Sequence, residues 1–527
     1  MHFVNFLSIY PLLTAFAVYL APIIQSQTLC ITRGHAAPDC VSQQEAFLVN
    51  GEFTGPVIYA QINSVLRVTV VNDNNSPMSI HFHGLHQRGS QFADGAAGIT
   101  NAPILPGETR SVDVNIGCEP GTYYYHAHFG LISQHVYGAL VITDPAERKE
   151  YDDERVILLS DYWHEKPEVL LEGLHAPVFK FVGAPQSFLT NGMTIAGNCS
   201  TGESGAYNVV SVEKGKRYRL RIIGATTLFS VNFHIPGHSM RVIEVDGQMV
   251  DPFQTEYLEV FSGQRYSVIV VMDQNPGDYW MQMKGKWRSG APENGFSILR
   301  YADSIPETVP VSIVSPPELI NGFDAMYRPL VKRDIPPATT FVTIEGMQAT
   351  VDNRLRWVLN NISYMAPPDK SILAHAVDDT LYTLPSSSKP LLIVPLGEVV
   401  EIVFQNLIAL NGVCETHPWH IHGHSFYVMS SGPGKHDPNH PDFESPMLRD
   451  TVALYASQNA YNQEKGTAGT PCGWTRVRFI ADNPGAWALH CHISSHFSMG
   501  MGTTIVVAKD LLQDTFVGPP ISAPVEL

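Results

Sequence analysis

Alternation of apolar and polar residues is the dominant pattern of this chain. Val65-Leu66-Arg67-Val68-Thr69-Val70-Val71, Tyr218-Arg219-Leu220-Arg221-Ile222-Ile223 and Val399-Val400-Glu401-Ile402-Val403-Phe404 put apolar side chains at about every second position. That is the period of a β-strand with one buried face. Clusters of Gly, Pro, Asn and Asp separate such runs, and long stretches of helical period are scarce. The pattern predicts an all-β chain built as sandwiches or barrels.

The alternation also repeats on a larger scale. A glycine turn precedes an alternating strand three times, near Gln61–Val71, at Lys214–Ile223 and at Pro395–Asn406. A segment rich in His, Phe or Asn follows each time: Ile80-His81-Phe82-His83, Val231-Asn232-Phe233-His234 and His417-Pro418-Trp419-His420. Three similar β-domains explain the repeat. Boundaries fall at Thr143-Asp144-Pro145 and in the Pro-rich stretch from Ile305 to Pro317, which gives domains at residues 27–147, 148–305 and 306–527. Only the first and third repeats carry dense histidine clusters.

Residues 1–26 hold no Lys or Arg, and an apolar run from Phe6 to Ile24 is interrupted at Ser8, Pro11 and Thr14. We read it as a signal peptide cleaved after Ser26, with an uncleaved signal anchor as the alternative. The mature protein is then expected to be secreted, with no membrane attachment after cleavage. A net charge of −17 argues against nucleic acid or an anionic membrane as partner. There are seven cysteines. With Cys491 set aside as a ligand, six remain, an even number compatible with three disulfides in 15 connectivities. Sequons at Asn74, Asn198 and Asn361 suit a secreted glycoprotein.

Composition turns pointed at histidine. The chain has 22 His in 527 residues. Random scatter would give roughly one His-x-His pair, yet five occur: His81/His83, His126/His128, His420/His422, His422/His424 and His490/His492. In His490-Cys491-His492, read as a strand, the cysteine points one way and both histidines the other. Two metal sites would then lie back to back, joined by one residue of chain. Imidazoles with a single thiolate, and a thioether at Met501, form a copper-type ligand set. Zinc would more often show paired cysteines or one compact site. Two His, one Cys and a weak axial Met describe a blue-copper electron-transfer centre, and the remaining eight histidines suffice for three further coppers.

These four motifs, in this order and spacing, resemble the multicopper oxidase family of laccases, ascorbate oxidases and ferroxidases. The resemblance implies three consecutive cupredoxin-like Greek-key β-sandwich domains, with a trinuclear cluster between the first and third. It implies four copper ions: one type 1, one type 2 and two type 3. His417, Cys491 and His496 would bind type 1, with Met501 axial; His81 and His420 would bind type 2. His83, His126, His128, His422, His490 and His492 would bind the type 3 pair. His424 falls outside the motif and is expected to be structural. A small-molecule donor would give up single electrons at type 1, and O2 would be reduced to water at the cluster. Asp94, in Ala93-Asp94-Gly95, is similar to the family's proton-supplying aspartate, although a turn Asp before Gly reads the same way.

The wording around the donor site is mixed. Gln87-Arg88-Gly89 and Ala481-Asp482-Asn483-Pro484-Gly485 resemble ascorbate oxidases, as do the stretches around Trp163 and Trp357, which would place both tryptophans at the donor pocket. Cys40 and Cys199 match a disulfide of that group. Thr201-Gly202-Glu203 instead looks like the loop whose glutamate receives phenolic protons in ascomycete laccases. Met501 departs from the Leu or Phe usual in fungal laccases, which implies a copper of modest potential suited to electron-rich phenols and ene-diols. The expected activity is laccase-like oxidation of phenols, in pigment or secondary-metabolite coupling, with L-ascorbate oxidase as the alternative. A ferroxidase and a copper-free structural relative rank lower. Oligomeric state is not legible.

Overall fold

The structure, a computed structural model, describes residues 23–41, 43–195, 206–288, 290, 292–302, 323–456, 465–513 and 515. The expected leader up to residue 22, the Pro-rich stretch 305–317 and the segment holding Asn198, Cys199 and Glu203 lie outside the described residues.

Among the described residues, thirty strands form six sheets, two from each third of the chain. The alternating runs legible in the sequence are the third strands of three sheets built alike. In each, a first strand pairs antiparallel with a flanking hairpin strand and parallel with the alternating strand, which in turn pairs antiparallel with a later one. Ile24–Ala36 so pairs with Val65–Asp73, Asp153–Tyr162 with Arg217–Gly224, and Thr340–Val351 with Glu398–Leu407. The chain therefore folds as three consecutive cupredoxin-like β-sandwiches. Along the strand Val65–Asp73, Leu66, Val68 and Val70 are buried while their neighbours face out, as a one-faced strand requires.

The second sheet of each sandwich positions the histidines. Ile80–His83 pairs antiparallel with Gly121–Ala127, setting His81 opposite His126. His417–Ile421 pairs antiparallel with Gly485–Cys491, setting His420 opposite His490. Phe82 and Cys491, the alternate side chains, point into their own sandwich and are fully buried. The ladder makes His420 the counterpart of His81, so the third repeat aligns two residues later than the sequence repeat suggests. The middle sandwich has the same pair of strands, Ser230–His234 and Asp278–Lys286, with Asn232 opposite Lys284.

The expectation of three disulfides does not hold. Cys414 and Cys472 are bridged, with Cα atoms 6.1 Å apart. Cys40 is disulfide-bonded; Cys199, its expected partner, lies outside the described residues. Cys30 and Cys118 are free thiols. Sheet geometry explains this. Cys30 sits level with Val71 and Thr109, whereas Cys118 follows Asn115, which is level with Val65 at the other end of the same strands. Six strand positions separate the two rows, roughly 20 Å, far beyond the reach of a disulfide. At the N-terminus the ladder begins with Ile24 opposite Val65, so Ile24, Gln25 and Ser26, ahead of the expected cleavage point, are strand residues. Among the described residues no helix is long and apolar enough to cross a membrane.

Candidate metal centre

Two buried ligand clusters flank the strand Gly485–Cys491, one on each face. On the inner face, Cys491 Sγ lies 3.6 Å from His417 Nδ1 and 3.9 Å from His496 Nδ1, and the two nitrogens are 3.2 Å apart. His417 comes from the neighbouring strand and His496 from the short helix Ser494–Ser498 that follows. Met501 closes this pocket through its backbone: its carbonyl accepts from Cys491 N–H at 3.0 Å and its N–H donates to the His496 carbonyl at 2.9 Å. Its methyl fills the space over Gly346, where a Cβ would come within 3.0 Å of it. Burial pushes the Cys491 thiol up to about 12, so the thiolate needs a cation beside it.

On the outer face, histidines of the first and third sandwiches interdigitate. His490 Nε2 lies 3.1 Å from His422 Nε2 and 3.4 Å from His128 Nε2; His492 Nε2 lies 3.1 Å from His83 Nδ1. Tautomers are fixed from behind. His490 Nδ1–H donates to the Cys491 carbonyl and His126 Nδ1–H to the Ala127 carbonyl, both at 2.9 Å. His422 Nδ1 is bonded to Asp94 Oδ2 at 2.9 Å. The opposed Nε2 atoms of His490 and His422 are therefore both bare lone pairs. His81 and His420 donate Nδ1–H to the backbone carbonyls of Asp94 and Asp450, at 2.7 and 2.8 Å. Their Nε2 atoms, and that of His126, are buried without a partner.

Lone pairs facing one another at about 3 Å in a buried site are unfavourable unless a cation lies between them. Burial, the leading cause, also drops the titration points of these rings: His126 to about 3, His490 to about 4, and His83, His128, His417, His420, His422, His492 and His496 well below the ordinary range. Neutral imidazoles converging on one point, with tautomers set by outer partners, are what metal binding demands. The donor set fits copper.

Two aspartates serve the outer cluster in the same way. Asp94 holds His81 with its carbonyl and His422 with its carboxylate. Asp450 holds His420 with its carbonyl, and its Oδ1 lies 3.2 Å from His83 Nε2. Asp94 was legible in the residue order, whereas Asp450 was not, nor was Tyr124, whose hydroxyl is 3.3 Å from His492 Nε2. A pattern such as Arg449-Asp450-Thr451 has no local signature, since the contact to His83 spans 367 residues.

Over the inner cluster opens a cleft of about 820 Å³ that reaches His496. Trp357 forms part of it, its ring centroid 4.7 Å from that of His496 and 4.9 Å from that of His417. Trp287, Phe229 and Leu410 supply further apolar wall. Asp161 fixes one side, accepting from the backbone N–H groups of Thr227, Leu228 and Phe229. Trp163 is not among the lining residues: it is 2% exposed and donates its indole N–H to the Gly183 carbonyl behind the wall. The polar groups beside His496 were not foreseen. Glu415 Oε2 is 3.5 Å from His496 Nε2, Arg288 Nη1 donates to the same carboxylate oxygen at 2.9 Å, and Arg288 Nη2 is buried without a partner. The Cys414–Cys472 bridge anchors this segment one residue before Glu415. Glu203 lies outside the described residues.

Comparison with known proteins agrees with this geometry. Multicopper oxidase family descriptions match residues 30–147, 153–304 and 364–510. An L-ascorbate oxidase of Cucurbita pepo var. melopepo is 33% identical, over 88% of this chain and 91% of its own length. Laccase-like multicopper oxidase 1 of Thermothelomyces thermophilus is 30% identical, over 90% of this chain and 86% of its own. Among solved structures, Fet3p, a multicopper oxidase that functions in iron import, superposes with a TM-score of 0.80 at 26% identity, over 94% of this chain and 92% of its own.

Proposed function

Because the chain belongs to the multicopper oxidase family, we propose that it is a laccase-like oxidase taking single electrons from phenolic donors. The carrying observation is the cleft over His496: at about 820 Å³ it is large enough for a substituted phenol, and it is lined mostly by aromatic and aliphatic side chains, with Glu415 and Arg288 beside His496. Four coppers are assigned: type 1 to His417, Cys491, His496 and Met501, type 2 to His81 and His420, and the type 3 pair to His83, His126, His128, His422, His490 and His492. Bound copper supplies one-electron acceptance from the donor and reduction of O2 to water. Trp357 packs the donor against the edge of His496. Glu415, next to His496 Nε2, accepts the proton of a donor hydroxyl; Glu203 is a second candidate acceptor. At the cluster, Asp94 Oδ1, buried and without a hydrogen-bond partner, is the atom we assign to hold a proton for O2 reduction. Secretion after loss of residues 1–26, and domains at 27–147, 148–305 and 306–527, complete the proposal.

L-Ascorbate oxidation is the second reading, favoured by the 33% identical relative and by the unpartnered Nη2 of Arg288, which suits an anionic ene-diol. Ferrous iron is disfavoured because Arg288 already neutralises Glu415, the carboxylate beside His496. Steady-state oxygen uptake with a hydroquinone and with ascorbate separates the readings. Faster turnover of the hydroquinone is expected; preference for ascorbate by a large factor would overturn the phenol assignment.

A further inference from the structure

The middle sandwich contributes no histidine to either cluster, yet one of its turns reaches the outer cluster. The turn joins strands Tyr257–Val260 and Arg265–Val271. Ser262 Oγ donates its proton to the Thr226 carbonyl and accepts from His492 Nδ1 at 2.9 Å. That contact leaves His492 Nε2 bare toward His83. Gly263, at φ +89°, packs its backbone on two rings at once: a Cβ there would lie 3.0 Å from His83 Cε1 and 3.2 Å from His492 Cδ2. Gln264 donates to the Thr451 carbonyl at 3.3 Å. Arg265, fully buried, makes a bidentate pair with Asp450, both bonds 2.6 Å, while also donating to the Thr122 and Gly263 carbonyls. Asp450 is the residue that holds His83 and His420.

We infer that the turn Phe261–Arg265 of the middle sandwich is the positioning element of the type 3 pair, fixing one ligand from each outer sandwich, His83 and His492, in mutual register. His83 and His492 are 409 residues apart and belong to separate sandwiches. Each is oriented from behind by this one turn, directly through Ser262 or by way of Arg265 and Asp450. Asp450 is near enough to His83 and His420 to be taken for a ligand, but its two oxygens are engaged by the guanidinium, which makes it a support. Outer partners of metal ligands contribute about 10- to 100-fold to metal affinity or activity.

This role presupposes that the clusters hold copper, as proposed above, and is independent of the donor. The test uses copper-loaded full-length protein as wild type, Ser262→Ala, Gly263→Ala and Arg265→Gln. Readouts are copper per chain, the blue absorption of type 1, the type 2 and type 3 signatures in electron paramagnetic resonance and near-ultraviolet absorption, and melting of the copper-free form. The expected result is loss or distortion of the type 3 signature, and an O2 turnover lower by about 10- to 100-fold. Blue absorption per folded chain should stay at the wild-type value in each variant, and copper-free melting should stay there in Ser262→Ala; Arg265→Gln and Gly263→Ala lower melting through the unpaired Asp450 and the crowded Cβ. Ser262→Ala, which only deletes a hydroxyl, keeps the test valid if Gly263→Ala fails to fold. An unchanged type 3 signature in Ser262→Ala and Arg265→Gln would overturn the inference. So would parallel loss of blue absorption and of copper-free stability in Ser262→Ala, since that marks a general packing role. Wild-type protein without blue colour or copper would instead overturn the copper assignment itself.

Discussion

The middle sandwich and the two outer ones share a strand order and differ in what that order carries. His81 faces His126 in the first and His420 faces His490 in the third; at the same ladder position the middle one has Asn232 facing Lys284. The backbone is equally suited to present two outer-face imidazoles in all three. The difference teaches that a strand pair alone does not bring imidazole nitrogens together here, because each facing pair draws on strands outside its own hairpin. The imidazoles of the two outer sandwiches meet between them, and the middle one touches that junction through Ser262 and Arg265. Fold and site are thus separable properties of the same repeat.

The comparison is broken most strongly at Cys491, the thiol on the opposite face of the strand from His490. Cys491→Ser should abolish blue absorption and donor oxidation while the outer cluster keeps its copper. Metal analysis with electron paramagnetic resonance checks this, and loss of both clusters together would contradict the back-to-back arrangement.

A smaller effect comes from the acid with which the middle sandwich meets the third. Glu259 accepts from Trp287 Nε1 at 2.6 Å and from the Tyr455 hydroxyl at 3.0 Å, and burial pushes it up to about 7 from 4.5. Between those values the native state holds a proton that the unfolded chain has released. Folding stability therefore falls as pH rises across that window, by up to about 3 kcal/mol. Melting measured against pH should show this slope in wild type and a flatter one in Glu259→Gln. Equal slopes would remove Glu259 as its source.

The smallest effect is a null result that sharpens the contrast. Asn232→His with Lys284→His gives the middle sandwich the facing pair of its neighbours. Copper per chain should stay unchanged, since none of the possible metal-binding clusters among the described residues lies at that position. A gain of bound copper would show that a strand pair suffices.

Much of the site was legible in the residue order because alternation along a strand is local. His490-Cys491-His492 announces two faces, and His81/His83 and His126/His128 announce one each. The supports were illegible: Asp450, Arg265 and Ser262 approach their partners across 185 to 367 residues, and nothing in their neighbourhood marks them. Counting failed for the same reason. Six cysteines are an even number, but Cys30 and Cys118 stand at opposite ends of one sheet. Trp163 and Trp357 read alike in sequence, and only packing sets one behind the wall and the other at His496.

The sequence by itself therefore determined the strand periodicity, the threefold repeat and the clustering of His, Cys and Met into four motifs, since each depends on spacing within a few residues. Tertiary structure decided which imidazoles face one another, which tautomer each adopts, what shape the cleft over His496 takes and which turn of the middle sandwich reaches His83 and His492. Those properties depend on where separate sheets dock, and docking is set by the summed packing of distant side chains.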